Sequence, residues 1–380
     1  ECTLEYSRGM TMKTNHKKML FPGLALAFSL ACSLAHATEP KTLKLFNWAD
    51  YFAEDTIKNF TAETGIVVIY DVMDSSETLE AKMMTGNSGY DLIFPGDTVA
   101  ERLMRAGSIQ KLDKTQLTEM ANIDPGLLEL RQRYPKSSAA TVPYTWGTIG
   151  FTYNADEISK RLPNAPVNSL DLLFKPENAG KLANCGISMI DSPDEVLAVV
   201  LNYLGHPPRS ADPKHLAEAE KLLVSIKPYI KKFQSQPVTD LVNGDLCLSL
   251  GYSGDMTQAN WAAEAAGKSA AFQFRLPKEG TTVWMDTMAI PVDAAHPEYA
   301  YAFINFIMRP QNMADITNFT GYPTSNELAK PMVAEAMRDN PDIYPPKAVY
   351  ATLITGEDIA QKAMRARMRA WTNFKTAKTE

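Results

Sequence analysis

Histidine and cysteine are scarce in this chain, with five and four copies among 380 residues. His206, His215 and His296 are the histidines beyond residue 37, and their spacing matches no metal-binding motif. The segment Gly251-Tyr252-Ser253-Gly254 also lacks the spacing of a nucleophilic serine turn. We therefore expect no metal, no cofactor and no enzymatic activity. A hydrolase that uses two carboxyl groups remains the alternative from the enzyme class.

Long apolar runs are rare as well. One stretches from Met19 to about Ala35 and follows Lys13, Lys17 and Lys18, and Ala35-His36-Ala37 then supplies small residues. This order is typical of a signal peptide, and the run is too short and interrupted to favour a membrane-spanning helix. We expect residues 1–37 to be upstream residues plus a signal peptide cleaved near Ala37. Lipid attachment at Cys32 is the alternative.

The chain has no excess of basic residues. Its formal net charge is −6, and it becomes −8 without residues 1–37, which hold four basic and two acidic side chains. Nucleic acids and anionic membranes call for a basic face, so we expect neither as a partner. An acidic protein is compatible with a cationic ligand.

Strands and helices are predicted to alternate from residue 42 onward. The predicted strands are 42–47, 66–71 and 90–94, and the predicted helices are 53–63, 77–85 and 98–106, each closed by a glycine. Such alternation predicts right-handed crossovers and a mainly parallel sheet. Ligands bind at the carboxyl ends of such strands, here the turns at 47–51 and 95–97.

A second α/β region is predicted from about Gly147 to Gly280. It contains predicted helices at 195–204 and 215–225 and a strand at 246–251. Predicted strands at 271–276 and 283–290 flank Pro277-Lys278-Glu279-Gly280, which is typical of a crossing between lobes, and a further helix is predicted at 298–308. A chain that leaves one domain and returns to it fits two lobes joined by a hinge.

Two cysteines remain beyond residue 37, Cys185 and Cys247. An exported protein meets an oxidising compartment, so a disulfide between them is one interpretation. Two buried free thiols are the other.

Carboxylates stand beside aromatic residues at three predicted strand ends. The groups are Trp48 with Asp50 and Tyr51, Tyr252 with Asp255, and Trp284 with Asp286. A protonated amine needs carboxylate acceptors for its N–H donors and an aromatic face for its charge. The alternative is that each aromatic residue lies in the core and each aspartate caps a helix or a turn.

The chain resembles the periplasmic putrescine- and spermidine-binding proteins of ABC-type importers over most of its length beyond residue 37. The motifs that carry the resemblance are Phe46-Asn47-Trp48-Ala49-Asp50-Tyr51, Phe60-Thr61-Ala62-Glu63-Thr64-Gly65-Ile66, Tyr90-Asp91-Leu92-Ile93-Phe94-Pro95, Leu201-Asn202-Tyr203-Leu204-Gly205, Gly251-Tyr252-Ser253-Gly254-Asp255, Pro277-Lys278-Glu279-Gly280, Trp284-Met285-Asp286, Tyr344-Pro345-Pro346 and Arg369-Ala370-Trp371-Thr372.

This resemblance implies a two-lobed α/β flytrap without catalytic activity. It implies a monomer in the periplasm that passes a polyamine to an inner-membrane ABC permease. We expect one lobe to comprise residues 38–146 with about 281–325, and the other to comprise 147–280 with about 326–380. The resemblance also implies the disulfide between Cys185 and Cys247.

The resemblance implies a set of ligand-binding residues, to which Asp97 adds a further carboxylate. The expected set is Trp48, Asp50, Tyr51, Asp97, Glu195, Tyr252, Asp255, Trp284, Asp286 and Tyr322. Two positions depart from the family pattern, because Ala49 and Gly96 stand where the family commonly has a hydroxyl residue. The ligand therefore stays open between putrescine and spermidine, with agmatine, cadaverine or spermine as alternatives. A polyamine-sensing role is a further alternative.

Overall fold

A computed structural model describes residues 40–269 and 272–378 of the chain. The expected signal peptide, the cleavage position near Ala37 and the alternative lipid site at Cys32 lie outside the described residues. Within the described ranges, no helix combines the length and the apolar character needed to cross a membrane.

The strands of the described residues form one mixed sheet. They are β1 (Thr42–Asn47), β2 (Val67–Val72), β3 (Leu92–Ile93), β4 (Thr141–Asn154), β5 (Ile187–Met189), β6 (Lys232–Phe233), β7 (Leu248–Tyr252), β8 (Phe272–Arg275) and β9 (Val283–Ala289).

Helices surround the sheet. The α-helices are α1 (Thr56–Thr64), α2 (Ser76–Met84), α3 (Asp97–Ala106), α4 (Pro125–Leu130), α5 (Ala155–Arg161), α6 (Asp171–Phe174), α7 (Pro176–Leu182), α8 (Pro193–Tyr203), α9 (Pro213–Ile226), α10 (Val238–Asn243), α11 (Gly254–Ala265), α12 (Pro297–Ile307), α13 (Pro310–Thr320), α14 (Glu335–Arg338), α15 (Lys347–Tyr350) and α16 (Gln361–Thr376). One-turn 3₁₀ helices lie at Lys114–Gln116, Met120–Asn122, Arg131–Arg133, Ser137–Ala139, Ala183–Cys185, Lys227–Tyr229 and Lys330–Met332.

The strand order is β2-β1-β3-β9-β4-β7-β5-β6, with β8 also paired to β4. The outer parts are parallel, as expected, because β1 pairs in parallel with β2 and β3, and β5 pairs in parallel with β6 and β7. The centre is antiparallel, since β4 runs against β7, β8 and β9. The parallel expectation therefore holds for the two ends of the sheet and not for its middle.

Strand β4 joins the two ends of the sheet. Its residues Thr141–Thr148 pair with β9, and its residues Ile149–Asn154 pair with β7 and β8. The expected crossing at 277–280 lies between β8 and β9, beside the point where β4 changes partners. A third chain segment passes there, because Thr282 forms an isolated parallel bridge with Ile354.

The first third of the chain follows the sequence prediction closely. Strand β1 has the expected bounds, and α3 begins one residue early. Gly65 and Gly107 close their helices in the left-handed conformation, with φ of 70° and 73°. Strand β4 was not predicted, because its first 13 residues are all buried and therefore show no alternation of polar and apolar residues.

Two large hydrophobic cores flank β4. One contains the edge-to-face pair Phe60 and Phe303 and packs α1 and α12 against β1. The other packs α8, α9 and α16 against β5 and β7 and includes Trp371 and Phe374. Residues between 329 and 343, among them Val333, pack into the first core. The limits of the two lobes stay a prediction.

Cys185 and Cys247 form a disulfide, as the resemblance implied, and the interpretation as two free thiols is wrong. Cys185 ends the turn before β5 and Cys247 directly precedes β7. Both residues are buried in the second core, so the bond fixes the entry points of two neighbouring parallel strands.

Replacing both cysteines with alanine should lower the free energy of unfolding by roughly 4 kcal/mol, because the bond closes a loop with a sequence separation of 62 residues in the unfolded chain. Urea unfolding followed by tryptophan fluorescence measures this loss. The wild-type protein in a reducing buffer is the matched comparison and should show a similar decrease. An unchanged unfolding midpoint in both samples would contradict a stabilising role for the bond.

Candidate ligand-binding site

The loop after β1 and the middle of β9 meet through one tyrosine. Tyr51 is buried, and its hydroxyl donates to Oδ2 of Asp286 at 2.7 Å. The same hydroxyl lies 2.6 Å from Oγ1 of Thr145, which belongs to β4. Gly96, just before α3, forms an isolated antiparallel bridge with Asp286. The two turns predicted at strand ends, 47–51 and 95–97, therefore converge on Asp286.

Four aromatic side chains form a continuous row that we call the aromatic wall: Tyr51, Tyr322, Trp284 and Tyr252. Successive ring centroids are 6.2, 5.0 and 5.8 Å apart, and every pair is edge-to-face. This arrangement matches the preferred geometry of aromatic pairs and gives the row a defined shape. The row connects the end of the site at Asp286 with the carboxyl end of β7.

Two glycines allow the aromatic wall to lie against the backbone. A Cβ atom at Gly147 would lie 2.6 Å from Cζ2 of Trp284, and a Cβ atom at Gly254 would lie 2.5 Å from Cε1 of Tyr322. Both distances are far below van der Waals contact. Any larger residue at these positions would displace the rings, so glycine is required there by packing.

Asp255 lies in the first turn of α11 and is 3% exposed. Its Oδ2 atom has no hydrogen-bond partner among the residues that the structure describes. Burial raises the pKa of Asp255 to about 8, because the charged carboxylate loses its hydration. The charge of Asp255 also contributes to the raised pKa of Tyr252 and Tyr322, which places this carboxylate beside the aromatic wall.

Asp286, like Asp255, has no cationic partner among the described residues. Burial raises the pKa of Asp286 to about 7, the hydrogen bond from Tyr51 opposes the increase, and the charges of Asp97 and Glu195 add to it. Asp97 and Glu195 are thus close enough to disfavour the ionisation of Asp286.

Glu195 lies in the first turn of α8, and its Oε2 atom accepts a hydrogen bond from the Tyr252 hydroxyl at 3.3 Å. Burial raises the pKa of Glu195, whereas a hydrogen bond with Ser192 and the charge of Arg209 oppose the increase. Glu195 therefore marks the opposite end of the aromatic wall from Asp286.

Asp97 has its charge balanced within the protein. It is buried, and its Oδ1 accepts from Nε of Arg131 at 3.0 Å. Arg131 is also buried and donates to Thr141. Burial raises the pKa of Asp97, and the Arg131 charge opposes this increase. Of the predicted acids, Asp97 is the one already held in a buried ion pair.

The remaining predicted residues follow β1 directly. Trp48 is half-buried, and its Nε1 has no hydrogen-bond partner within the described ranges. Asp50 is exposed in a left-handed conformation, with φ of 50°, and lies near the Tyr70 hydroxyl. The structure brings Glu195, Asp255 and Asp286 together around the aromatic wall, but it leaves Asp50 at the surface.

Sequence reasoning missed the residues that support this site. Thr145 belongs to β4, the strand that shows no alternating pattern. Arg131 and Arg209 carry no local motif, and their roles follow from contacts with residues 34 and 15 positions away. In the described part of the chain, no cluster of His, Cys, Asp and Glu side chains has the arrangement of a metal site.

Comparison with known proteins identifies the family. Residues 55–344 match the model for bacterial extracellular solute-binding proteins. The chain belongs to this family. The family assignment agrees with the resemblance that the sequence motifs showed.

Two curated relatives cover almost all of this family member. The putrescine-binding periplasmic protein SpuD of Pseudomonas aeruginosa is 44% identical over 97% of this chain and 100% of its own length. The putrescine-binding periplasmic protein PotF of Escherichia coli is 43% identical, again over 97% and 100%.

A solved structure shares the fold. The spermidine/putrescine ABC transporter substrate-binding protein PotD of Streptococcus pneumoniae is 28% identical and superposes with a TM-score of 0.76, covering 88% of this chain and 98% of that chain. The expected fold, a two-lobed α/β binding protein, is thereby confirmed.

The raised pKa of Asp255 makes stability depend on pH. Folded Asp255 keeps its proton up to about pH 8, whereas in the unfolded chain it loses the proton near pH 4. The free energy of unfolding should therefore fall as pH rises from about 4 to 8, by up to about 1.4 kcal/mol per pH unit for one such group. Asp255→Asn cannot ionise, so the ligand-free variant should show a smaller decrease in melting temperature between pH 5 and pH 8.

The control for this experiment is Asp156→Asn. Asp156 also lies in the first turn of a helix, α5, but it is exposed. This variant should keep the wild-type pH dependence. If Asp255→Asn shows the same slope as the wild-type protein, Asp255 is ionised in the free protein and the argument from burial is wrong.

Proposed function

We propose that this protein binds a polyamine, with putrescine as the first candidate, and delivers it to the membrane permease of an ABC importer. The observation that carries the proposal is the burial of Asp255 and the partial burial of Asp286, for which the described residues supply no cation. A buried carboxylate without a partner is costly, and a ligand with two ammonium groups would supply the missing charges.

The aromatic wall suits the rest of such a ligand. Aromatic faces attract ammonium groups and pack against the methylene chain between them. In this proposal Asp255 and Asp286 accept the two amines, and Glu195 adds a third acceptor near Tyr252. Trp48 and the wall residues enclose the methylene groups, Asp97 acts through its charge on Asp286, and Asp50 acts at the rim of the cleft.

The relatives support the same ligand class, since two are named putrescine-binding periplasmic proteins and one solved neighbour is named a spermidine/putrescine transporter component. We infer a periplasmic location and a monomeric protein that meets a membrane permease in its ligand-bound form. Closure on the ligand would shift an existing equilibrium between open and closed lobes, through the higher affinity of the closed form.

Gly96 leaves the exact polyamine open. A Cβ atom at this position would lie 3.4 Å from Oδ1 of Asp286, which is ordinary contact, so a serine would fit. Glycine instead leaves space beside the carboxylate. That space suits a terminal group larger than an ammonium, such as the guanidinium of agmatine, and agmatine therefore belongs among the ligands to test with spermidine, cadaverine and spermine.

The proposal predicts a large thermal stabilisation by one of these polyamines. The protein is unfolded and refolded to remove bound ligand, and its melting temperature is then measured with each polyamine in turn. A ligand at a hundred times its dissociation constant adds about 2.7 kcal/mol of stability.

Asp255→Asn should bind the same ligand at least about thirtyfold more weakly, because a buried charged partner is lost.

Asp156→Asn should bind like the wild-type protein in this assay. If no polyamine shifts the wild-type melting temperature, the proposed function is wrong. Hydrolysis of a glycoside in a turnover assay would instead favour the carboxylate-based hydrolase. Binding that is unchanged in Asp255→Asn would reject the site while keeping the ligand class.

Ligand binding should also release protons near pH 7. In the free protein Asp255 and Asp286 hold protons for part of the time, because their pKa values are about 8 and 7. Ammonium groups favour the ionised carboxylates, so binding should expel these protons and become tighter from pH 6 to pH 8. Calorimetry with putrescine in buffers of different ionisation enthalpy measures the number released. No proton exchange would show that both acids are already ionised, and proton uptake would contradict the prediction.

A further inference from the structure

Asp194 stands next to Glu195 in the first turn of α8, and two arginines hold it. Its Oδ2 accepts from Nη1 of Arg209 at 2.5 Å, and its Oδ1 accepts from Nε of Arg367 at 3.1 Å. Its backbone carbonyl accepts from both, at 3.3 Å from Nη1 of Arg209 and 3.0 Å from Nη2 of Arg367. Both carboxylate oxygens and the carbonyl of Asp194 therefore bond to arginine.

The two arginines are themselves fixed by distant parts of the chain. Arg367 lies in α16 with its side chain 1% exposed, and its Nη1 donates to the carbonyls of Pro208 and Ser210, each at 3.1 Å. Arg209 has its side chain 7% exposed and donates to the carbonyl of Thr355 through Nε and Nη2 at 3.2 and 2.9 Å. Planar guanidinium groups make such multiple bonds with little residual freedom.

The first turn of α8 has no side-chain cap. Its N-cap residue, Ser192, makes no capping hydrogen bond, so the position of the turn depends on other contacts. The bonds from Arg209 and Arg367 provide them. Because Glu195 is the next residue in the same turn, these arginines hold the backbone of a residue whose carboxylate bonds to Ser192 and Tyr252.

We propose that Arg209 and Arg367 are positioning residues for polyamine binding, which orient Glu195 toward the ligand by fixing Asp194. This inference depends on the proposed function, because Glu195 must meet a ligand amine for its orientation to affect affinity. Arg209 also keeps a positive charge near Glu195, which favours the ionised carboxylate that a cation needs. Arg209 joins this turn to Thr355, which follows the bridge between Ile354 and Thr282.

A double-mutant cycle with putrescine tests the proposal. Arg209→Met should weaken putrescine binding more than tenfold when Glu195 is present, and less than threefold in the Glu195→Gln protein. Arg209→Lys keeps the charge but cannot bond Asp194 and Thr355 through a planar fork, and it should show a smaller loss that also depends on Glu195. Calorimetry gives the affinities, and far-ultraviolet circular dichroism confirms that each variant folds.

The matched control is Arg161→Met. Arg161 pairs with Glu157 within α5 and has no hydrogen bond to Asp194, so putrescine affinity should not change. An equal loss for Arg209→Met in both Glu195 backgrounds would mean that Arg209 only stabilises the fold. No loss in either background would also overturn the proposal.

A ligand-free readout separates this proposal from the proposed function. In a crystal structure of ligand-free Arg209→Lys, the Glu195 carboxylate should move away from the Tyr252 hydroxyl, which lies 3.3 Å from it in the wild-type chain. An unmoved Glu195 would overturn the positioning role whatever the protein binds. If the wild-type protein binds no polyamine while Glu195 moves in the variant, the proposed function fails and the role of Arg209 in placing Glu195 stands.

Discussion

The site is organised around carboxylates that the fold buries fully or in part without giving them a cation. Asp255 and Asp286 lie beside aromatic rings, in surroundings where a charged carboxylate loses hydration and gains little from neighbouring groups. Such groups keep a proton at a pH where exposed aspartates have lost theirs, or they meet a cation from outside. The free protein is therefore less stable near neutral pH than it would be with apolar residues at these positions. A dication would remove this cost, so the same burial that destabilises the free protein favours binding.

The aromatic wall depends on the tight packing of two of its rings against the backbone of two glycines. Trp284 lies against Gly147 in β4, and Tyr322 lies against Gly254 at the start of α11. Since the first half of β4 pairs with β9 and its second half pairs with β7 and β8, the wall is attached to a strand that both parts of the sheet share. Movement of one part relative to the other would thus change the distance between carboxylates at opposite ends of the wall.

The support for Glu195 comes from parts of the chain that are remote in sequence. Arg367 lies 173 residues beyond Asp194, yet its guanidinium bonds the turn that carries Glu195. Asp97 shows the opposite case, because Arg131 already balances its charge. Asp97 and Asp255 have the same predicted role, but a ligand would meet a different charge environment at each of them. Asp97 offers a paired carboxylate, whereas Asp255 offers one whose Oδ2 has no partner among the described residues.

Several features could be predicted from the residues alone. The bounds of β1, the glycine ends of α1 and α3 and the disulfide follow from local patterns or from the family motifs, because strand ends and helix caps depend on near neighbours. The sequence also showed an aspartate close to an aromatic residue, Asp255 near Tyr252 and Asp286 near Trp284. Strand β4 was not, since burial on both faces removes the alternation that reveals a strand.

The sequence by itself determined the class of the protein and the kinds of side chain expected to meet a ligand. Only the tertiary structure decided which acids lack a cation, that Asp50 lies at the surface, and that two distant arginines hold the turn before Glu195. The reason is physical. Residue type and spacing follow from local chemistry, whereas desolvation and charge pairing depend on which distant segments pack together, and these contacts are not encoded in any local pattern.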